Sequence, residues 1–274
     1  MRNEIEYGAC SDIGCVRESN EDSFGAAPEL SLFVLSDGMG GLAFGELASR
    51  LTVDTIIREY RSAKSATELN GDSIEGVSDA SNQLVSAIRA ANKAIYHNAQ
   101  DNGAHQQMGA TVVAVRLAGE RMSLAHVGDS RAYRLRGGQL DQLTRDHSFV
   151  AEQVRQGRMT EQEAGQSGLQ NVLMRALGTA PKVDVEVTEE LMLDGDIVLL
   201  CSDGLTRELT DAQIAALLGE CDDAQEAADQ LVQAAKQAGG GDNITAVVLR
   251  RAVSSGGPFA RMSRIRKWLK NAGN

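Results

Sequence analysis

Prolines number only three in this 274-residue chain, and no run of apolar residues approaches the roughly 20 needed to span a bilayer. No transmembrane helix is therefore expected. The opening Met1-Arg2-Asn3-Glu4-Ile5-Glu6 has no hydrophobic region and does not read as a secretion signal. The four cysteines, Cys10, Cys15, Cys201 and Cys221, show no Cys-x-x-Cys pairing, which argues against a zinc site or a disulfide framework. They read as small buried or half-buried side chains in a reducing cytoplasm.

Basic residues are scarce over most of the length. Residues 250 to 274 hold seven Lys or Arg and no acid, so the remaining 20 basic side chains face 38 acidic ones, a balance of −18 over residues 1 to 249. So acidic a body excludes nucleic acid as the main ligand. It also opposes an anionic substrate, unless bound cations reverse the sign locally.

The chain does have enough apolar residues, 42%, for a sizeable core, and no linker before Ala252 divides it. Short apolar or alternating runs bounded by turn residues predict strands near Ile5–Ser11, Leu30–Ser36, Ala110–Leu117, Met122–Val127, Arg131–Leu135, Gln139–Leu143, Val183–Thr188, Ile197–Cys201 and Ile244–Leu249. Helical spacing predicts long helices over Phe44–Tyr60 and Ser81–Ala99, with a polar loop over Arg61–Ser81 between them. Shorter helices are expected over Phe149–Gln156, Asp211–Leu218 and Ala224–Ala238. Strands arrive in consecutive groups with helices between the groups. That order fits antiparallel sheets covered by helices, an α+β arrangement, better than alternating βαβ units.

Four aspartates stand in turn-like Gly or Asn contexts far apart in the sequence. They are Asp22 in Ser-Asn-Glu-Asp, Asp37 in Ser-Asp-Gly-Met-Gly-Gly, Asp203 in Cys-Ser-Asp-Gly, and Asp242 in Gly-Gly-Gly-Asp-Asn. Hard divalent cations prefer oxygen donors, and carboxylates gathered without a cation repel one another, so the pattern points to a metal centre assembled by the fold. Asp37 and Asp203 each follow an apolar run and precede a glycine, which places them at strand exits where the backbone can turn sharply. Glu21 and Asn243 sit beside Asp22 and Asp242 as further oxygen ligands or as supports for the ligands. Taken singly, each motif is an ordinary turn or helix cap.

Taken in order, six segments are more specific: Ser11 to Asp22, Asp37-Gly38-Met39-Gly40-Gly41, Gly109-Ala110-Thr111, Val127-Gly128-Asp129-Ser130-Arg131, Ser202-Asp203-Gly204 and Gly241-Asp242-Asn243. Together they resemble the metal-dependent (PPM, type 2C) protein phosphatases, particularly bacterial members, from about Glu4 to Arg250. The resemblance implies a four-layer α-β-β-α sandwich with two Mn²⁺ or Mg²⁺ ions at one end. Asp37 would bridge the ions and the Gly38 carbonyl would bind one. Asp203 and Asp242 would complete the site of one ion, Asp22 would serve the other largely through water, and Glu21 would accept from behind. Asp129 matches the position that, with Asp203, holds a third, weaker ion in bacterial relatives.

Arg17 matches the family's phosphate-binding arginine. Its chemistry agrees, because a planar guanidinium grips two phosphate oxygens at once and stays charged. The implied reaction is hydrolysis of phosphoserine or phosphothreonine by a water bridging two cations, without a covalent phosphoenzyme, in opposition to a bacterial Ser/Thr kinase. Other readings are a phosphatase for a small regulator of the anti-sigma-antagonist kind, and a phosphoprotein-binding module with a dead site. Met39 stands where many eukaryotic members have a proton-donating histidine, so water is expected to protonate the leaving group here. The resemblance also implies a flap over residues 146 to 177. His147 at its base reads as structural and His126 as packing.

The expected catalytic domain covers residues 1 to 251. Beyond it, Ser254 to Pro258 reads as a flexible breaker, followed by a basic amphipathic helix over residues 259 to 270 that would meet a membrane or a partner.

Overall fold

A computed structural model describes residues 5–40, 44–62, 72–101 and 108–252. The basic tail expected after Ala252 and the middle of the loop between the long helices lie outside these residues.

The strands are β1 (Ile5–Asp12), β2 (Asp22–Ala27), β3 (Leu32–Met39), β4 (Gly109–Ala110), β5 (Val112–Ala118), β6 (Arg121–Val127), β7 (Arg131–Arg136), β8 (Gln139–Gln142), β9 (Glu186–Leu191), β10 (Ile197–Cys201) and β11 (Ile244–Arg251). The helices are α1 (Phe44–Ser62), α2 (Asp79–Asp101), α3 (Phe149–Arg155), α4 (Glu161–Gln166), α5 (Asp203–Thr206), α6 (Asp211–Glu220) and α7 (Ala224–Ala238). One sheet runs β1-β11-β10-β7-β8 and the other β2-β3-β5-β6-β9, with β4 joined to β3. Every named pairing is antiparallel.

Strand side chains alternate between faces, and here both faces are covered. In β3, Leu32 and Val34 pack toward α1 and α2, whereas Phe33 and Leu35 pack between the sheets. In β10, Leu199 and Cys201 face the α6–α7 layer, whereas Val198 and Leu200 meet the opposite sheet. Burial on both faces makes these strands nearly continuous apolar runs. The result is the four-layer α-β-β-α sandwich that the sequence resemblance implied.

Antiparallel pairing has one consequence for the site. The exits of β3, β6 and β10 share an edge of the sandwich with the entries of β2, β7 and β11, and Asp22 is paired in register with Asp37. Chain segments hundreds of residues apart therefore meet at one rim.

Four details differ from the sequence expectations. The strand β2 had not been expected, the strand expected at Val183–Thr188 lies at Glu186–Leu191, and α4 and α5 are additional helices. Within the segment read as a flap, α3 is the helix expected there and α4 adds a second; Ser148 and Thr160 cap them, accepting from Ala151 N and Glu163 N.

Candidate metal centre

Asp22, Asp37, Asp129, Asp203 and Asp242 converge at this rim, close enough that Asp37 feels the charge of all four others. Asp37 sits at the end of β3, where its N–H donates to Thr111 Oγ1 at 3.0 Å and its carbonyl accepts from Thr111 N at 2.8 Å. Thr111 is fixed in turn by a 2.7 Å hydroxyl contact with Ser130 Oγ. Gly38 donates to Glu21 O at 3.1 Å, and a Cβ there would lie 2.0 Å from Gly45 O. No larger residue fits between the strand and the start of α1.

Asp22 is buried, and Ser202 Oγ and Thr245 Oγ1 donate to its Oδ2 at 2.8 and 2.7 Å. Its Oδ1 is buried without a protein partner, as is Oδ1 of Asp203. Such atoms cost roughly 1–3 kcal/mol each when left unsatisfied. Asn243 ties the pieces together: its Oδ1 accepts from Glu21 N at 2.8 Å, and its Nδ2 donates to Ile13 O and Ser19 O at 3.0 and 2.9 Å. Both Asn243 and Glu21 thus act through the loop carrying Arg17.

Burial, then mutual repulsion, pushes the carboxyls upward. Asp22 and Asp129 rise to about 7, Asp37 rises well above the usual carboxylate range, and Asp203 rises as well. Burial also raises Glu21. A divalent cation would remove this repulsion and engage the two unpartnered oxygens, so the donor set fits hard cations such as Mn²⁺ or Mg²⁺.

Two arginines enter the same rim. Arg17 forms a two-pronged pair with Asp242, from Nη2 to Oδ2 and Nε to Oδ1, both at 2.8 Å. Arg207, which the sequence reading missed, pairs with Asp203 and donates from Nη1 to Asp242 Oδ2 at 3.1 Å. The signal available for it was the i,i+4 spacing from Asp203 across the short helix α5.

The model of the protein phosphatase 2C family matches residues 16–244. The chain belongs to the protein phosphatase 2C family. Serine/threonine protein phosphatase PstP of Mycobacterium tuberculosis is 39% identical over 244 residues, covering 89% of this chain but only 44% of that protein's length. Serine/threonine phosphatase stp of Listeria monocytogenes is 33% identical over 250 residues, covering 90% of this chain and 96% of the relative. The crystal structure of the catalytic domain of PstP in complex with two manganese ions superposes with a TM-score of 0.78 at 37% identity, covering 90% of this chain and 98% of that one.

Within this type 2C chain a second cluster adjoins the rim through Gly128, the neighbour of Asp129. His126, His147 and Glu186 bring ligand atoms within 4.8 Å of one another. The two imidazoles, however, stack with centroids 4.7 Å apart and planes 15° apart. An imidazole lone pair lies in its ring plane, so nearly parallel rings do not aim at one ion. His147 Nδ1 accepts from Gly128 N at 3.1 Å, and its Nε2 lies 3.2 Å from Glu186 Oε2. Burial drives its pKa down to about 4. This neutral stack joins β6, β9 and the flap base, the structural and packing roles expected for the two histidines.

Proposed function

We propose that this type 2C chain is a Mn²⁺- or Mg²⁺-dependent phosphatase acting on phosphoserine and phosphothreonine in proteins. The observation that carries the reading is the convergence of five carboxylates, two of which, Asp22 and Asp203, keep a buried Oδ1 with no protein partner. Asp37, the Gly38 carbonyl, Asp203, Asp242 and Asp22 would hold two ions, and Asp129 with Asp203 a third, weaker one. When bound, the cations supply positive charge for the phosphate oxygens and make an attacking water acidic enough to act near neutral pH.

The chain's own residues do the rest. Ser202 and Thr245 occupy one oxygen of Asp22 and leave the other to face inward. Thr111 and Asn243 fix the backbone at Asp37 and Glu21. Arg17 is the proposed phosphate clamp. Its head is about half exposed and its present partner is Asp242, a carboxylate that a cation would share. The protein's acidic body then need not repel a phosphate dianion.

Residues 1 to 251 are proposed as the catalytic domain, a boundary supported by the pairing of β1 with β11 from Ile5↔Arg251 onward. A Ser/Thr kinase that phosphorylates the same proteins is the proposed functional counterpart, and the cytoplasm the proposed compartment. Among the described residues no helix is long and apolar enough to cross a membrane.

Arg17→Lys tests the clamp. A lysine keeps the charge but loses the two-pronged geometry, so kcat/KM for para-nitrophenyl phosphate should fall about 10- to 100-fold, chiefly through KM. Unchanged kinetics would remove Arg17 from the site. The activity itself is tested with phosphothreonine, phosphoserine and phosphotyrosine peptides in Mn²⁺. The first two should release phosphate, and release from phosphotyrosine alone would refute the reading.

A further inference from the structure

A cleft of about 910 Å³ runs from Asp129 and Asp203 at the rim to the inner faces of α3 and α4. Val150, Ala151, Val154 and Ala164 give it an apolar side. Four arginines also line it. Two of these are already committed. Arg131 holds Asp146 through three hydrogen bonds of 2.7 to 3.1 Å, and Arg155 pairs with Glu152 on its own helix.

The other two differ. Arg145 is exposed, and its guanidinium makes no hydrogen bond or ion pair among the described residues. Its backbone is nevertheless held, because the Arg145 carbonyl accepts from His126 Nε2 at 2.8 Å. Arg207 is 31% exposed and spends its charge on Asp203 and Asp242. Cations at the rim would compete for those same carboxylates, and the guanidinium would be free to turn toward the cleft. Asp129, Asp146, Asp203, Glu161 and Asp211 line the cleft too, so the cationic groups left to meet an acidic side chain are Arg145 and, once cations hold Asp203 and Asp242, Arg207.

We propose that this cleft is a substrate subsite in which Arg145 and Arg207 recognise an acidic side chain close in sequence to the phosphorylated residue. The proposal rests on the phosphatase reading of the adjoining centre and adds a substrate class to it. An extended peptide advances about 3.3–3.6 Å per residue, so a side chain a few positions from the phosphate is the one that enters the cleft. Rim charges of this kind discriminate between partners more than they add raw affinity.

The test uses the full chain in Mn²⁺ and three phosphothreonine peptides of one sequence, carrying Glu on the N-terminal side, Glu on the C-terminal side, or Gln at both places. Non-hydrolysable phosphonate versions report binding by fluorescence anisotropy. One Glu peptide should exceed the Gln peptide by about fivefold in kcat/KM and in affinity. Arg145→Ala and Arg207→Ala should each remove about half or more of that advantage, and Arg145→Ala should leave para-nitrophenyl phosphate turnover unchanged. Equal binding and turnover of all three peptides would overturn the subsite, as would a Glu preference that survives the double variant. Selective binding of the Glu phosphonate by a protein that releases no phosphate would support the subsite while refuting the phosphatase reading.

Discussion

Asp37→Asn is expected to lower metal-dependent kcat/KM for para-nitrophenyl phosphate by at least about 10³-fold while making the cation-free protein more stable. The two effects have one cause. Asp37 is the carboxyl most surrounded by like charge, with Asp22, Asp203, Asp129 and Asp242 all raising it. An amide keeps the shape and the backbone contacts with Thr111 but carries no charge to bind a cation or to repel the neighbouring acids. Thermal unfolding in chelator should therefore move upward, by about 2–4 °C for each kcal/mol of repulsion removed. A variant that lost activity and stability together would instead indicate a structural role for Asp37. Asp203→Asn should follow the same pattern, with a smaller stability gain because Arg207 already offsets part of its charge.

The second large effect concerns pH. Asp22 and Asp129 stand at about 7 in the cation-free fold, against about 3.9 for an aspartate in an unfolded chain. Between those values the folded state binds more protons than the unfolded state, so stability falls as pH rises toward 7 and the penalty is complete above it. Cations replace the protons, and their contribution grows as the protons leave. At pH 8, Mn²⁺ at about 100 times its dissociation constant should raise Tm by about 5–10 °C, and at pH 5.5 by less than half as much. Differential scanning fluorimetry across that range, with and without Mn²⁺, measures it. A shift that was constant with pH, or larger at pH 5.5, would contradict the proposed carboxylate centre.

The layers were readable because β3, β10 and β11 bury both faces and so appear as apolar runs. Strand β2 was not readable. Asp22-Ser-Phe-Gly-Ala-Ala has no β-branched residue, and Gly25 serves the approach of α1, where a Cβ would lie 2.4 Å from Val53 Cγ1. Strand β9 was misplaced by three residues because its position is set by pairing with β6, from Arg121↔Leu191 to His126↔Glu186, and not by its own pattern. Helix α5 spans four residues and carries no periodicity to read.

At the site, Asp37, Asp203 and Asp242 announced themselves through Asp-Gly and Asp-Asn turns. The groups that hold them did not. Ser202 and Thr245 are 43 positions apart and become partners of Asp22 only once β10 and β11 pair. Arg207 is signalled locally only by its i,i+4 spacing from Asp203, and its second partner, Asp242, lies 35 positions further on.

The most direct measurement is phosphate release from a phosphothreonine peptide by chelator-treated protein, before and after Mn²⁺ is restored. The carboxylate centre predicts no release above background in chelator and recovery of turnover with Mn²⁺. Full turnover in chelator would contradict it.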